Sequence, residues 1–147
     1  MLKDFIEKIK TKYLKRSVIV LLLLWLITVF TLTVFIRQPF EGQHFQGELF
    51  WSYTYGISNI GTRFVVQMIE NVIMYIPFGF LFPFLLKGKC PDIAALGICI
   101  LVGAAVSFST ESLQYFCKLG LFEFDDVIHN ALGTIIGFVL HKACIKW

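Results

Sequence analysis

Four apolar runs, each close to the length of a bilayer crossing, leave this chain few ways to fold. They cover residues 17–36, 65–86, 93–116 and 126–142, and a helix needs about 20 apolar residues to cross the hydrocarbon core. Only 16% of the 147 residues are charged and 57% are hydrophobic, with a mean hydropathy of +0.75. A soluble domain carries about 25% charged residues, so too few remain here to coat a water-facing surface. The expected fold is an all-α bundle of about four transmembrane helices, with residues 17–147 forming one membrane domain. The first run, Ser17 to Ile36, exceeds the roughly 7–15-residue core of a cleavable signal, and no small-residue cleavage site follows it. It reads as a retained anchor.

Residues 1–16 read differently. Leu2, Phe5, Ile6, Ile9 and Tyr13 recur at helical spacing among Lys3, Lys8, Lys10, Lys12, Lys15 and Arg16. That pattern predicts a basic amphipathic helix at the surface of an anionic leaflet. Basic residues also gather at Lys87, Lys89, Lys142 and Lys146, leaving only Arg37, Arg63 and Lys118 on the other side. The positive-inside rule then puts both termini in the cytoplasm. Seven acids, Glu41, Glu48, Glu70, Glu111, Glu123, Asp125 and Asp126, fall at or near the outer side. The connection between the first two runs is rich in Gly and aromatics. Its Phe50, Trp51, Tyr53 and Tyr55 suit an interfacial segment.

Polar residues inside the runs carry the functional expectation. Asn71 lies near the outer start of the second run, Glu111 near the outer end of the third, and Asn130 one turn into the fourth, behind Asp125 and Asp126. At 1.5 Å per residue all three sit roughly 6–9 Å below the outer boundary. Ser107, Glu111 and Gln114 share a helix face, as do Asp126, Asn130, Gly133 and Gly137. A carboxyl inside a span costs about 2.5–3.5 kcal/mol on the insertion scale, so Glu111 should face the bundle interior, pair with a donor, or be protonated. An Asp at a helix start caps free N–H groups; two in succession exceed what capping needs. The Gly133/Gly137 pair permits close helix approach, and Pro77 predicts a kink.

The expected site is an outer pocket lined by Asn71, Glu111, Gln114, Asp125, Asp126 and Asn130, with Pro77, Gly79, Gly133 and Gly137 shaping the packing. Glu111 and Asp126 are the candidates for a divalent cation, or for acid–base chemistry by a carboxyl of raised pKa. His129 is a proton-carrier candidate, more often a polar residue at the interface. Arg37 and Arg63 flank the mouth, where a phosphate or the nearby acids would pair with them. Cys90, Cys99, Cys117 and Cys144 show no metal spacing. No nucleophile elbow, phosphate loop or HExxH is present.

Three blocks of these residues resemble the VanZ-like family of small bacterial membrane proteins. The first runs from Asn71 through Pro77 and Gly79. The second holds Glu111 and Gln114, and the third runs from Asp125 and Asp126 through Asn130 and Gly133 to Gly137. The resemblance covers roughly residues 45–141. It departs where Glu48-Leu49-Phe50-Trp51 lacks a proline, and at Gly120, where many members carry Arg. It implies a multi-pass plasma-membrane protein linked to glycopeptide resistance, chiefly to teicoplanin. The functions expected of this chain are therefore three: a module that binds or modifies an envelope lipid or lipid-linked precursor, a membrane enzyme acting on a headgroup, or a helical adaptor. Its partners are expected to be the lipid bilayer and that lipid, with no nucleic acid.

Overall fold

The computed structural model describes residues 2–37, 45–56 and 62–145, with side chains described for 11–37, 45–54 and 65–145. Four long helices dominate: α1 (Leu2–Phe30), α2 (Thr62–Leu81), α3 (Asp92–Phe116) and α4 (Phe124–Cys144). Four segments are long and apolar enough to cross a bilayer: Thr11–Phe35 and Val65–Leu86, which run past the C-terminal ends of α1 and α2, then Asp92–Phe116 and Phe124–Cys144. Residues 2–16 are helical and continuous with the first span. No Gly or Pro interrupts 2–35, so α1 runs unbroken from the basic segment into the first span and widens into a π-helical turn at Thr31–Phe35. The expected amphipathic face at Leu2, Phe5, Ile6 and Ile9 lies outside the described side chains, as do Glu41, Tyr55, Arg63 and Lys146.

The bundle is apolar outside and polar inside. Leu21, Ile27, Ile73, Leu101 and Val139 are exposed, whereas Ser107, Thr110, Glu111, Gln114, Asn130 and Thr134 are buried. In lipid this is the stable arrangement, because the surrounding hydrocarbon matches Leu and Ile while polar groups must find partners within the protein.

Glycine sets the tightest contact. A Cβ on Gly133 would lie 2.1 Å from the Val72 carbonyl oxygen, one on Gly137 2.2 Å from that of Ile76, and one on Gly79 2.0 Å from that of Thr134. Backbone therefore meets backbone along the α2–α4 seam, the role expected of Gly79, Gly133 and Gly137. Pro77 lies within α2 and has no N–H to offer the preceding turn. Beside it the Trp25 indole N–H donates to the Met74 carbonyl at 2.8 Å, stacking on Phe78 and meeting Tyr75 edge-on. That contact ties α1 to α2. At the far end, the His141 Nδ1–H donates to the Phe80 carbonyl at 2.8 Å and Lys142 pairs with Asp92 at 2.5 Å.

α3 ends without a glycine. Lys118 takes a left-handed φ of 57°, and the Leu119 N–H returns to the Gln114 carbonyl at 2.8 Å, a closed helix end of the Schellman type. The chain then forms β2 (Phe122–Glu123), which pairs in parallel with β1 (Phe45–Gln46), Phe45 opposite Phe122. This two-residue ladder and a π-helical turn at Ser52–Gly56 make a cap over one end of the bundle.

Candidate functional site

The sequence-expected residues divide between three places instead of lining a single pocket. The first is a buried polar cluster beneath the cap. Glu111 reaches from the last turns of α3 and accepts the Glu123 backbone N–H at 3.3 Å. The carboxylates of Asp126 and Glu123 face it, and the Arg37 guanidinium offsets part of their charge. Asn130 donates its amide to the Ser107 hydroxyl at 2.7 Å. His129 places Nε2 2.9 Å from the Tyr53 hydroxyl and Nδ1 3.8 Å from Asp126. Glu111, Glu123, Asp126, His129 and Asn130 are all buried.

The second place is the joint between cap and bundle, and it uses Asp125. Its carboxylate accepts the backbone N–H groups of Phe50 and Ser52, each at 2.7 Å, and the Ser52 hydroxyl. No side chain caps the N-terminus of α4. The carboxylate that sequence logic assigns to capping is spent on the cap segment instead. Phe50 there adopts a φ of 63°, a left-handed conformation costing roughly 1–2 kcal/mol for a residue with a Cβ, which these charge-assisted bonds offset. Gln114 plays a similar tying role: its amide donates to the Thr33 carbonyl at 2.8 Å, joining α3 to the end of α1.

The third place is a cleft of about 680 Å³ between α1 and α2. Trp25, Thr28, Val29, Leu32 and Thr33 supply one wall; Gln67, Glu70, Asn71, Met74 and Pro77 supply the other, and Arg37 closes the polar end. These positions recur at helical spacing on each helix, so one face of each lines the gap. Thr28 and Thr33 spend their hydroxyls on carbonyls of their own helix. The polar end thus belongs to Arg37, Gln67, Glu70 and Asn71, and the floor is apolar. From Gln67 to Pro77 the gradient extends about 15 Å along the helix.

Several polar atoms in these places have no hydrogen-bond partner among the described residues. They are Asn71 Nδ2 in the cleft, and Glu123 Oε2, His129 Nδ1 and Asn130 Oδ1 in the buried cluster. Each costs about 1–3 kcal/mol if left so, and such orphans concentrate where a ligand, ion or proton is handled. Burial, reinforced by the charge of Asp126, pushes the Glu123 carboxyl up to about 7. Among the described residues, no three His, Cys, Asp or Glu side chains converge closely enough to hold a metal ion. Sequence reasoning missed Glu123 and Tyr53 as members of the cluster. The adjacency of Glu123 to the Asp pair was visible; the pairing of Tyr53 with His129 was not.

A family model described as VanZ/LLP1 matches residues 17–145. No curated protein and no solved structure matches the chain significantly.

Proposed function

The chain belongs to the VanZ/LLP1 family, and on that premise we propose that it binds an envelope lipid or lipid-linked precursor in the cleft between α1 and α2. One observation carries this reading. The cleft grades from a charged and amide-bearing rim at Arg37, Gln67, Glu70 and Asn71 to a floor of Trp25, Val29, Leu32, Met74 and Pro77, which is the polarity profile of a lipid. Helix pairs in membranes ordinarily close against one another. Here α1 touches α2 through Trp25 and leaves the space above open.

The cap end faces the outer side in this reading, since Lys87, Lys89 and Lys142 all lie at the opposite end. The bound lipid is then one of the outer leaflet. Protection against teicoplanin-type glycopeptides would follow if the lipid or precursor so bound is the one these drugs approach. Their acyl tail favours the membrane by about 0.8 kcal/mol per buried CH₂.

Photoactivatable lipids with the reactive group mid-chain test the proposal in vesicles containing the full chain. Adducts should concentrate on Leu32 and Met74, and bulky Met74→Trp should suppress them. Adducts spread evenly over Leu21, Leu101 and Val139 as well would mean only bulk lipid contact and would remove the cleft as a binding site.

A further inference from the structure

The rim of the cleft holds two opposite charges that do not meet. Arg37 stands at the end of the α1 wall and Glu70 on the α2 wall, both exposed. Among the described residues no ion pair joins them; the close charged contacts are Lys142 with Asp92 and His129 with Asp126.

Arg37 is held from behind. A Cβ on Gly120 would lie 2.7 Å from Arg37 Nη1, so the guanidinium occupies the space that glycine leaves open. The Gln114 bond to Thr33 fixes the chain four residues before it. Glu111 and Glu123 attract the same guanidinium from the buried cluster. Asn71 lines the cleft too, and its buried Nδ2 lacks an acceptor among the described residues.

These groups define what fits. Exposed Arg37 presents donors suited to phosphate oxygens. A purely anionic headgroup would gain them but would face Glu70, with Glu111 and Glu123 behind Arg37. A headgroup bearing an anion and a primary ammonium satisfies both walls, with phosphate on Arg37 and ammonium on Glu70 and the Gln67 carboxamide oxygen. A quaternary ammonium has no N–H to donate and would keep only the Coulombic part. We propose that the cleft selects an amine-bearing phosphodiester lipid; the inference rests on the lipid-cleft reading above.

Trp25 in the cleft wall provides the measurement. In a Trp51→Phe, Trp147→Phe chain, fluorescence quenching by lipids brominated on the acyl chain gives relative association constants for each headgroup. Phosphatidylethanolamine should associate at least about threefold more strongly than phosphatidylcholine or phosphatidylglycerol, the scale of one exposed ion pair. Glu70→Gln should bring ethanolamine and choline lipids level. Arg37→Gln should weaken both relative to brominated diacylglycerol. Should the single-tryptophan chain fail to fold, the same ranking is read on the unaltered chain, by competition of unlabelled lipids against the mid-chain photolipid. Preference for phosphatidylglycerol would overturn the proposal in favour of an anion site. Equal association of all headgroups, with adducts still confined to the cleft, would overturn headgroup selection while leaving the lipid cleft standing. Absence of cleft adducts would remove both. Equal competition by water-soluble glycerophosphoethanolamine would assign the headgroup to a soluble ligand and overturn the lipid form.

Discussion

The carboxylate of Asp125 receives both the backbone N–H and the hydroxyl of Ser52, across 73 positions of sequence. With the Phe50 N–H as a third donor, it is the principal polar tie between the cap and α4. Asp126, one residue on, makes no such tie and faces Glu111 and Glu123.

The neighbouring acids should therefore respond oppositely to neutralisation. Asp125→Ala leaves three donors without an acceptor and should lower stability by about 3 kcal/mol. Asp126→Asn relieves repulsion between carboxylates and should be neutral or mildly stabilising. Thermal unfolding in detergent separates the two. Alkylation of a Ser52→Cys chain, slow when Asp125 is intact and fast in Asp125→Ala, would report cap opening directly.

Gly133→Ala should lower stability by at least about 2 kcal/mol, because its Cβ meets backbone that cannot turn aside. Gly97→Ala meets nothing within 4 Å and should range from neutral to about 1 kcal/mol stabilising, by the helix propensity of alanine. A similar loss in both would mean the α2–α4 seam is looser than the structure has it.

Glu123 makes stability depend on pH. Its folded pKa of about 7 lies above the reference of 4.5, so the folded protein holds this proton more tightly than the unfolded chain does. The contribution is fully present below about pH 4.5 and is lost as pH rises through 7. The groups facing it are Asp125, Asp126, Glu111 and Arg37. The chain should be more stable at pH 5 than at pH 8, Glu123 contributing on the order of 3 kcal/mol to the difference, and Glu123→Gln should reduce that difference. An unchanged slope in the variant would place the titrating group elsewhere.

Orientation is testable through exposed lysines at opposite ends. In a cysteine-free background, Lys118→Cys should react with an impermeant thiol reagent in intact cells, and Lys89→Cys only after lysis. The reverse pattern would turn the cap, and with it the rim of the cleft, towards the cytoplasm.

Much of this fold was legible in the sequence, because runs of about 20 apolar residues admit little except a spanning helix. The Gly133/Gly137 spacing announced a close approach, although nothing in it named Val72 and Ile76 as the backbone approached. The single-pocket expectation had a definite weakness. Counting residues gives depth along a helix but not the direction in which a face points once helices pack. Asn71 shares its depth with Asn130, yet it lines the gap towards α1, whereas Asn130 bonds across to Ser107 on α3. The cap was illegible for another reason: two residues pairing with two others 77 positions away carry no periodicity. The contact of His129 with Tyr53 exists only because the Ser52–Gly56 turn folds back over α4.

The cleft opens between two helices whose outer surfaces meet lipid, and the cap with its aromatic cluster of Phe45, Phe122 and Phe124 covers the end of the bundle. If the cleft binds lipid as proposed, its ligand arrives sideways from the leaflet. Occupancy is then governed by the mole fraction of the ligand among its neighbours in two dimensions, not by its concentration in the surrounding water. Preference over the next lipid, in place of tight absolute affinity, is what such a cleft has to provide, and exchange can remain fast. A change in membrane composition alone would fill or empty it, with no change in how much of the protein a cell makes.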